Sequence, residues 1–336
     1  LPAEEFWRQS RGETVLDVRS PGEYQQGHLP GAINLPLFDD EQRACIGTIY
    51  KNSGRDDAVL RGLAFVGPKL AELAKFARHR CSSSVAFVHC WRGGMRSQSM
   101  KWLLDTSGLS PRILEGGYKS FRQLAHRKFA APVPLRVISG LTGAGKTRVL
   151  NLLAAAGEHV VDLEGLANHR GSAFGSIGQP NQPSTEQFEN DLFAELDRCR
   201  DAKRIWIEDE GNRLGGVVVP PPFIQHLKDS PAIFLDSAPA KRVEYLMGDY
   251  GHLDPQLLVA SVKMIRKRLG FDLAEEASQA IGAGNVQRAI EIVLAYYDRT
   301  YLHAAAKHTR TEMQQLAIDD LNDKEIVDQL LVLANK

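Results

Sequence analysis

The chain has 336 residues, with 41 Lys plus Arg against 41 Asp plus Glu, 43% hydrophobic and 24% charged residues. That length exceeds one compact unit, the composition is that of an ordinary soluble globular protein, and the zero formal charge excludes a globally basic nucleic-acid binder, so such a partner needs a local patch. No apolar run approaches the roughly 20 residues that cross a bilayer, and Cys45, Cys81, Cys90 and Cys199 lack metal or disulfide spacing, which points to a reducing cytoplasm.

The first residue, Leu1, is not Met and no secretory segment precedes it, so a missing or processed start is expected. Glu13–Arg19 predicts a strand closed by a turn at Ser20-Pro21-Gly22. Ser83–His89 predicts a buried strand that delivers Cys90 to the end of a sheet, and Met95–Leu104 predicts the helix that follows. Between them lies Cys-Trp-Arg-Gly-Gly-Met-Arg-Ser, residues 90–97. Backbone amides at the helix N-terminus, Arg92 and Arg96 form an anion pocket that favours thiolate over thiol at Cys90 and makes it a nucleophile. A buried structural cysteine is the bland alternative.

Asp17-Val18-Arg19-Ser20-Pro21-x-Glu23-Tyr24, then Gly27-His28-x-Pro30-Gly31-Ala32, the Cys90 loop and Leu114-Glu115-Gly116-Gly117-Tyr118 occur in this order. Together they resemble the rhodanese family over residues 1–125. On this reading Asp17 and Arg19 are a surface ion pair framing the cleft rather than catalysts. The loop departs from the common rhodanese spacing, because His89-Cys90 and Arg96 read as His-Cys-x5-Arg. That spacing is also the signature of cysteine-dependent phosphatases, and it suits a larger tetrahedral anion beside the sulfur. A phosphatase also needs a general acid, which the sequence does not identify.

Residues 126–134 mix the basic His126, Arg127 and Lys128 with Pro132 and Pro134, and read as a linker. Leu135–Ser139 then predicts a strand, Gly140-Leu141-Thr142-Gly143-Ala144-Gly145-Lys146-Thr147 is a full Gly-x4-Gly-Lys-Thr, and Arg148–Ala156 predicts a helix ended by Gly157. In this context Gly140, Gly143 and Gly145 let backbone amides face a diphosphate, Lys146 neutralises its charge and Thr147 can ligate Mg²⁺. An α/β pattern follows: a strand ending at Asp162, a helix capped by Ser184 and Gln187, a strand Arg204–Glu210 and a strand Ala232–Asp236. Asp162, Glu208, Asp209 and Arg170 are candidate Walker B or supporting residues, with Thr147 and Asp209 as the provisional Mg²⁺ pair; which acid serves the metal stays open. Lys241 and Arg242 either reach the diphosphate or belong to a solvated helix face.

Long irregular pieces at 165–183 and 211–223 are expected to be functional. From Asp254 onward the chain reads helical, with a long run over 286–306 and a last helix capped by Asn322 and Glu325. Tyr296, Tyr297 and Tyr301 share one face of the long run and read as core. The expected architecture is therefore a rhodanese domain (1–125), a linker (126–134), a P-loop NTPase-like parallel α/β domain (135–253) and a helical C-terminal region (254–336).

The Cys90 loop combined with Asp162-Leu163-Glu164-Gly165-Leu166-Ala167-x-His169-Arg170-Gly171-Ser172-x-Phe174-Gly175 resembles the tRNA 2-selenouridine synthase family across essentially the whole chain. The resemblance implies a bacterial selenotransferase acting on wobble 2-thiouridine in tRNA. Geranyl diphosphate would alkylate the thio sulfur, and selenium from selenophosphate would then displace the S-geranyl group. Co-substrates are thus geranyl diphosphate and selenophosphate; tRNA is the partner, an enzyme that supplies selenophosphate is a candidate second one, and no membrane is involved. Leu166, Ala167, Ala173, Phe174 and Val217–Phe223 then offer an apolar lining for a ten-carbon chain, unless Val217–Val219 form a buried strand. Lys263, Arg266, Lys267 and Arg268, with His126–Lys128, are candidates for the tRNA patch. Rival readings are a rhodanese-type persulfide sulfurtransferase with a nucleotide-binding P-loop, a Cys-x5-Arg phosphatase and a small-molecule kinase.

Overall fold

The apolar run before Cys90 forms the middle of a parallel sheet in the computed structural model, which describes residues 1–172, 174–305 and 312–335, the side chains of 302–305 excepted. Ala173, named above, and residue 306, the end of the expected long helical run, lie outside the described residues. Contacts divide the chain into one unit of Leu1–Lys128 with Glu189–Phe193 and another of Phe129–Phe188 with Ala194–Lys336.

In the first unit, strands β1 (Val15–Asp17), β2 (Ile33–Asn34), β3 (Val85–His89) and β4 (Ser110–Ile113) form a sheet of order β2-β1-β3-β4, parallel throughout. Parallel strands need crossovers, and three helices, Asp40–Asn52, Arg55–Val66 and Leu70–Arg80, lie between β2 and β3. Leu16, Val18, Ala86, Val88, Met100 and Leu104 fill the core against which Cys90 packs. Ser20-Pro21-Gly22 is not a free turn. Ser20 caps a helix Pro21–Gln26 reciprocally with Glu23, the proline sitting in its first turn where a missing N–H costs nothing.

The expected linker at 126–134 is half helix: Gly117–Ala130 runs through it. Phe121 and Ala125, spaced i, i+4, are buried, and that stripe outweighs the basic residues that suggested a break.

In the second unit, β5 (Leu135–Gly140), β6 (Val160–Val161), β7 (Ile205–Glu208), β10 (Ala232–Asp236) and β11 (Met313–Ala317) form a parallel sheet of order β11-β10-β5-β7-β6; β8 (Arg213–Leu214) and β9 (Val217–Val218) form a separate antiparallel hairpin. The C-terminal region is therefore not wholly helical. Strand β11 pairs with β10 from Ala232↔Met313 to Asp236↔Ala317, and its Met-Gln-Gln-Leu-Ala sequence carries too little apolar character to announce a strand. Ile138, Val149, Leu153, Trp206, Leu235 and Leu330 make one core. A second core joins Phe174, Leu246 and Tyr250 to the helices Pro255–Leu269, Phe271–Gly282 and Val286–Ala305.

Candidate active sites in two loops

Strand β3 ends at His89, so Cys90 stands at the carboxyl edge of the first sheet, buried, with the helix Met95–Thr106 opening just beyond. The loop is propped by the Leu114–Tyr118 motif. Gly117 has φ +61°, and a Cβ there would lie 2.4 Å from both the Cys90 carbonyl oxygen and the Gly93 nitrogen, so no side chain fits. Tyr118 N–H donates to the Cys90 carbonyl at 2.8 Å and Lys119 N–H to that of Trp91 at 3.0 Å. Cys90 Sγ lies 3.3 Å from Ser97 Oγ, which itself donates to the Gly94 carbonyl at 3.0 Å. Ser97 is a buried partner of the sulfur that spacing alone does not single out.

The two loop arginines differ. Arg96 donates to Glu23 through Nη1 (2.5 Å) and Nη2 (3.2 Å), and Arg43 Nε lies 3.6 Å from the same carboxylate. Burial pushes the Glu23 carboxyl up, but Arg96, the Ser20 N–H and Arg43 together outweigh it and hold the group below its usual range. Arg92 is exposed, with no carboxylate partner among the described residues. Glu23 belongs to the same motif as Asp17 and Arg19, but its partner is 73 residues away, a pairing no local spacing reveals.

The Asp17–Arg19 pair is not on the surface, as the sequence suggested; both side chains are fully buried. Arg19 Nε lies 2.9 Å from both Asp17 oxygens, Nη2 donates to the Gly27 carbonyl at 2.7 Å, and the guanidinium sits 3.9 Å over the Tyr118 ring. Burial would raise the Asp17 carboxyl, but His89 and Arg19 together hold it low. Burial also lowers His89 to about 4, so at neutral pH the imidazole is uncharged and Arg19 carries that stabilisation.

In the second unit Gly140, Gly143 and Gly145 all have positive φ, and a Cβ at Gly143 would press on the Arg242 carbonyl at 3.0 Å. The loop opens the helix Lys146–Ala155 beneath a cavity of about 540 Å³ that Glu164, Arg170, Asp209, Glu210, Tyr245 and Tyr301 help to line. Lys146 Nζ lies 3.9 Å from Glu210 Oε1. Burial alone would lower Lys146, but Glu210, Glu164, Asp209 and Glu208 raise it, so it stays charged. Burial pushes Glu208 well above its usual value, and raises Glu210 to about 7 against the pull of Lys146.

The candidate acids separate clearly. Glu208 Oε1 accepts the Glu164 N–H at 2.7 Å, Asp162 caps its own short helix through the Gly165 N–H at 2.7 Å, and Asp209 accepts from Ser139 Oγ at 2.8 Å. The carboxylate at Thr147 is Glu164, whose Oε2 accepts the threonine hydroxyl at 3.0 Å and which no spacing in the sequence marks out. Among the described residues no group of three or more His, Cys, Asp or Glu could hold a metal. Thr147 and Glu164 nevertheless fit Mg²⁺, which takes one or two protein oxygens and fills its octahedron from water and phosphate.

Lys241 is exposed and paired with Glu244, and buried Arg242 donates to Asp298 and, at 3.2 Å, to the Thr142 carbonyl. Neither side chain lines the cavity above the loop, and Arg242 reaches the loop through the Thr142 carbonyl. Tyr296 and Tyr297 pack on the helical core as expected, whereas Tyr301 OH lies 2.9 Å from Ser139 Oγ beside Asp209. Ala167, Phe174, Val217, Val219 and Phe223 are buried core residues, Leu166 and Val218 are half-buried, Pro221 and Pro222 are exposed, and none of them lines the P-loop cavity; Val217–Val218 form β9. Lys263, Arg266, Lys267 and Arg268 are exposed at the end of the helix Pro255–Leu269.

A family model for the tRNA 2-selenouridine synthase AAA domain matches residues 133–259, and a rhodanese-like domain model matches residues 2–124. The tRNA 2-selenouridine synthase of Pseudomonas putida strain GB-1 is 34% identical over 343 aligned positions, 91% of each chain. The protein of that name from Nitrosomonas europaea is 39% identical over 245, covering 70% of this chain and 63% of that one. A Shewanella sediminis counterpart is 32% identical over 88% of this chain and 89% of its own.

Proposed function

This chain belongs to the tRNA 2-selenouridine synthase family, and from that premise we propose that it converts wobble 2-thiouridine in tRNA to 2-selenouridine in two steps, one for each loop. In the first, the thio sulfur attacks C1 of geranyl diphosphate, the C–O bond breaks and its electron pair leaves with the diphosphate, and the N3 proton of the nucleoside passes to solvent. The glycine-lined amides of Gly140–Gly145 and the Lys146 ammonium hold that departing charge, which is where preorganised donors lower a barrier. Thr147 and Glu164 would hold Mg²⁺ there; when bound it supplies further neutralisation of the diphosphate. Arg242 keeps the loop in shape through Thr142.

In the second step, beside Cys90, the selenium of selenophosphate attacks C2 of the nucleoside, the C–S bond breaks and geranylthiolate leaves with its electron pair, and water then cleaves the Se–P bond and releases phosphate. Arg92, exposed and without an acid partner among the described residues, is the guanidinium free to meet the donor's oxygens; Arg96 is held by Glu23 and orders the loop. The observation that carries this reading is the pairing in one chain of a buried thiol loop with a phosphate loop of different surroundings. A phosphatase reading finds no support: the cavity beside Cys90 has no carboxylate in its lining, and Glu23 is held as an anion by two arginines. The exposed basic stripe Lys263–Arg268 supports tRNA as the partner.

The test is nucleoside mass spectrometry on 2-thiouridine tRNA incubated with the protein. Geranyl diphosphate alone should give the S-geranyl nucleoside, and adding selenophosphate should replace sulfur by selenium. Selenation that proceeds equally without geranyl diphosphate would refute the two-step order.

A further inference from the structure

A cavity of about 650 Å³ opens beside Cys90 in the first unit. The Cys90–Arg96 loop forms one side. The other is built from Phe38 and from two consecutive helices, Asp40–Asn52 and Arg55–Val66, which contribute Ile46, Val59 and Leu63. Every charged side chain in the lining is a cation: Arg43, Lys51, Arg92 and Arg96. The remainder is mainly apolar. A cavity of a few hundred cubic ångströms, apolar in body with a few polar groups at one place, is the form of a small-ligand site.

Two features show that the space is maintained. Gly47 and Gly62 sit inside the helices, where glycine is the least favourable residue after proline, and both line the cavity. At Gly62 an added Cβ would make ordinary contacts, 3.4 Å from Phe38 and 3.8 Å from Ile46, so helix packing does not demand glycine there. What glycine does is leave the wall low. In addition Leu63, Tyr50 and Met95 are exposed apolar side chains in the same lining, at 64%, 54% and 49%. A sulfur-chemistry loop that handled only small polar anions would have no use for such a wall.

We propose that this cavity seats the isoprenoid chain of the S-alkylated nucleoside, placing its alkylated sulfur at the Cys90 loop for the selenium step. The proposal rests on the two-step reading and names the part of the molecule that recognises its intermediate. It also accounts for the apolar surface that the loops near Gly140–Thr147 do not supply. Each buried CH₂ strengthens binding about fourfold, so a geranyl group should outweigh a methyl group by a factor of at least roughly one hundred.

The test uses the full chain and two nucleosides, S-geranyl-2-thiouridine and S-methyl-2-thiouridine, titrated calorimetrically. The wild type should prefer the geranyl compound by about a hundredfold or more. Gly62→Leu, which fills the cavity, and Leu63→Glu, which charges its exposed rim and spares the core, should each reduce that preference to about tenfold or less, by the same arithmetic of CH₂ burial. Equal affinity for the two nucleosides in the wild type, or a full preference in both variants, would overturn the proposal. Geranyl diphosphate titrated in parallel separates the sources: binding lost in Gly62→Leu but kept in Lys146→Ala would assign the cavity to the free donor and overturn it too. Because the nucleosides need no turnover, failure of the two-step reading on tRNA would show in the mass assay while leaving this measurement interpretable.

Discussion

The Cys90 loop and the Gly140–Thr147 loop both leave a buried parallel strand and enter a helix N-terminus, but the first is braced by backbone and paired arginines and the second by a ring of acids. Around Cys90, Gly117 fits where no side chain can, Glu23 fixes Arg96 and a buried Asp17–Arg19 pair stands behind. Around Lys146, Glu164, Glu208, Asp209 and Glu210 set the charge. The same local plan thus yields two electrostatic environments. An anion loop short of acids suits a nucleophilic sulfur and an oxyanion donor, whereas one ringed by carboxylates needs its lysine charged and accommodates a divalent cation.

The largest expected effect removes the brace of the first loop. Arg19→Ala leaves the Asp17 carboxylate buried without its partner and should cost about 3–5 kcal/mol in urea unfolding. A loss near 1 kcal/mol, the scale of a surface pair, would restore the reading that the sequence suggested. Next, Arg96→Lys should loosen the loop by replacing a bidentate fork with a point charge, raising the KM for selenophosphate about tenfold, while Arg92→Lys acts on the donor directly. If only Arg96 matters, the ion pair with Glu23 opens on binding and the assignment of the two arginines reverses.

How far the sequence reaches follows from the same contrast. Both loops are legible because their chemistry is written in contiguous residues, the glycines and Lys146 in one and Cys90 with its arginines in the other. Their surroundings are not. Glu23 meets Arg96 across 73 residues, Glu164 reaches Thr147 from a separate short helix, and Tyr301 comes to Ser139 from a helix far along the chain. Arg242 and Val217 carry no local mark of burial, since a charged helix residue and a β-branched run read equally well as surface or core. The strand Met313–Ala317 escapes a reading of pattern because edge strands can be polar.

The acid ring predicts a pH dependence of its own. Glu210 is raised to about 7 from an ordinary 4.5 by burial, so the folded state binds the extra proton between those values and stability falls as pH rises through that window, then levels off. Above pH 7 its charge also opposes a bound diphosphate, so affinity for geranyl diphosphate should fall by up to about tenfold for each unit by which the anion raises that carboxyl. Glu210→Gln should flatten this dependence; an unchanged profile in the variant would move the titration to another group. Smallest is the tRNA effect: neutralising Lys263, Arg266 and Lys267 should reduce the salt slope of tRNA binding by roughly 0.7 to 0.9 for each backbone phosphate these side chains neutralise, with the donor affinities unchanged.

The division of labour between the loops is tested most directly by crossing two variants with two substrates and reading the nucleosides by mass spectrometry. Lys146→Ala should fail to geranylate 2-thiouridine tRNA yet still selenate tRNA supplied already geranylated, and Cys90→Ser should do the reverse. Loss of both reactions in either folded variant would contradict the assignment of one step to each loop.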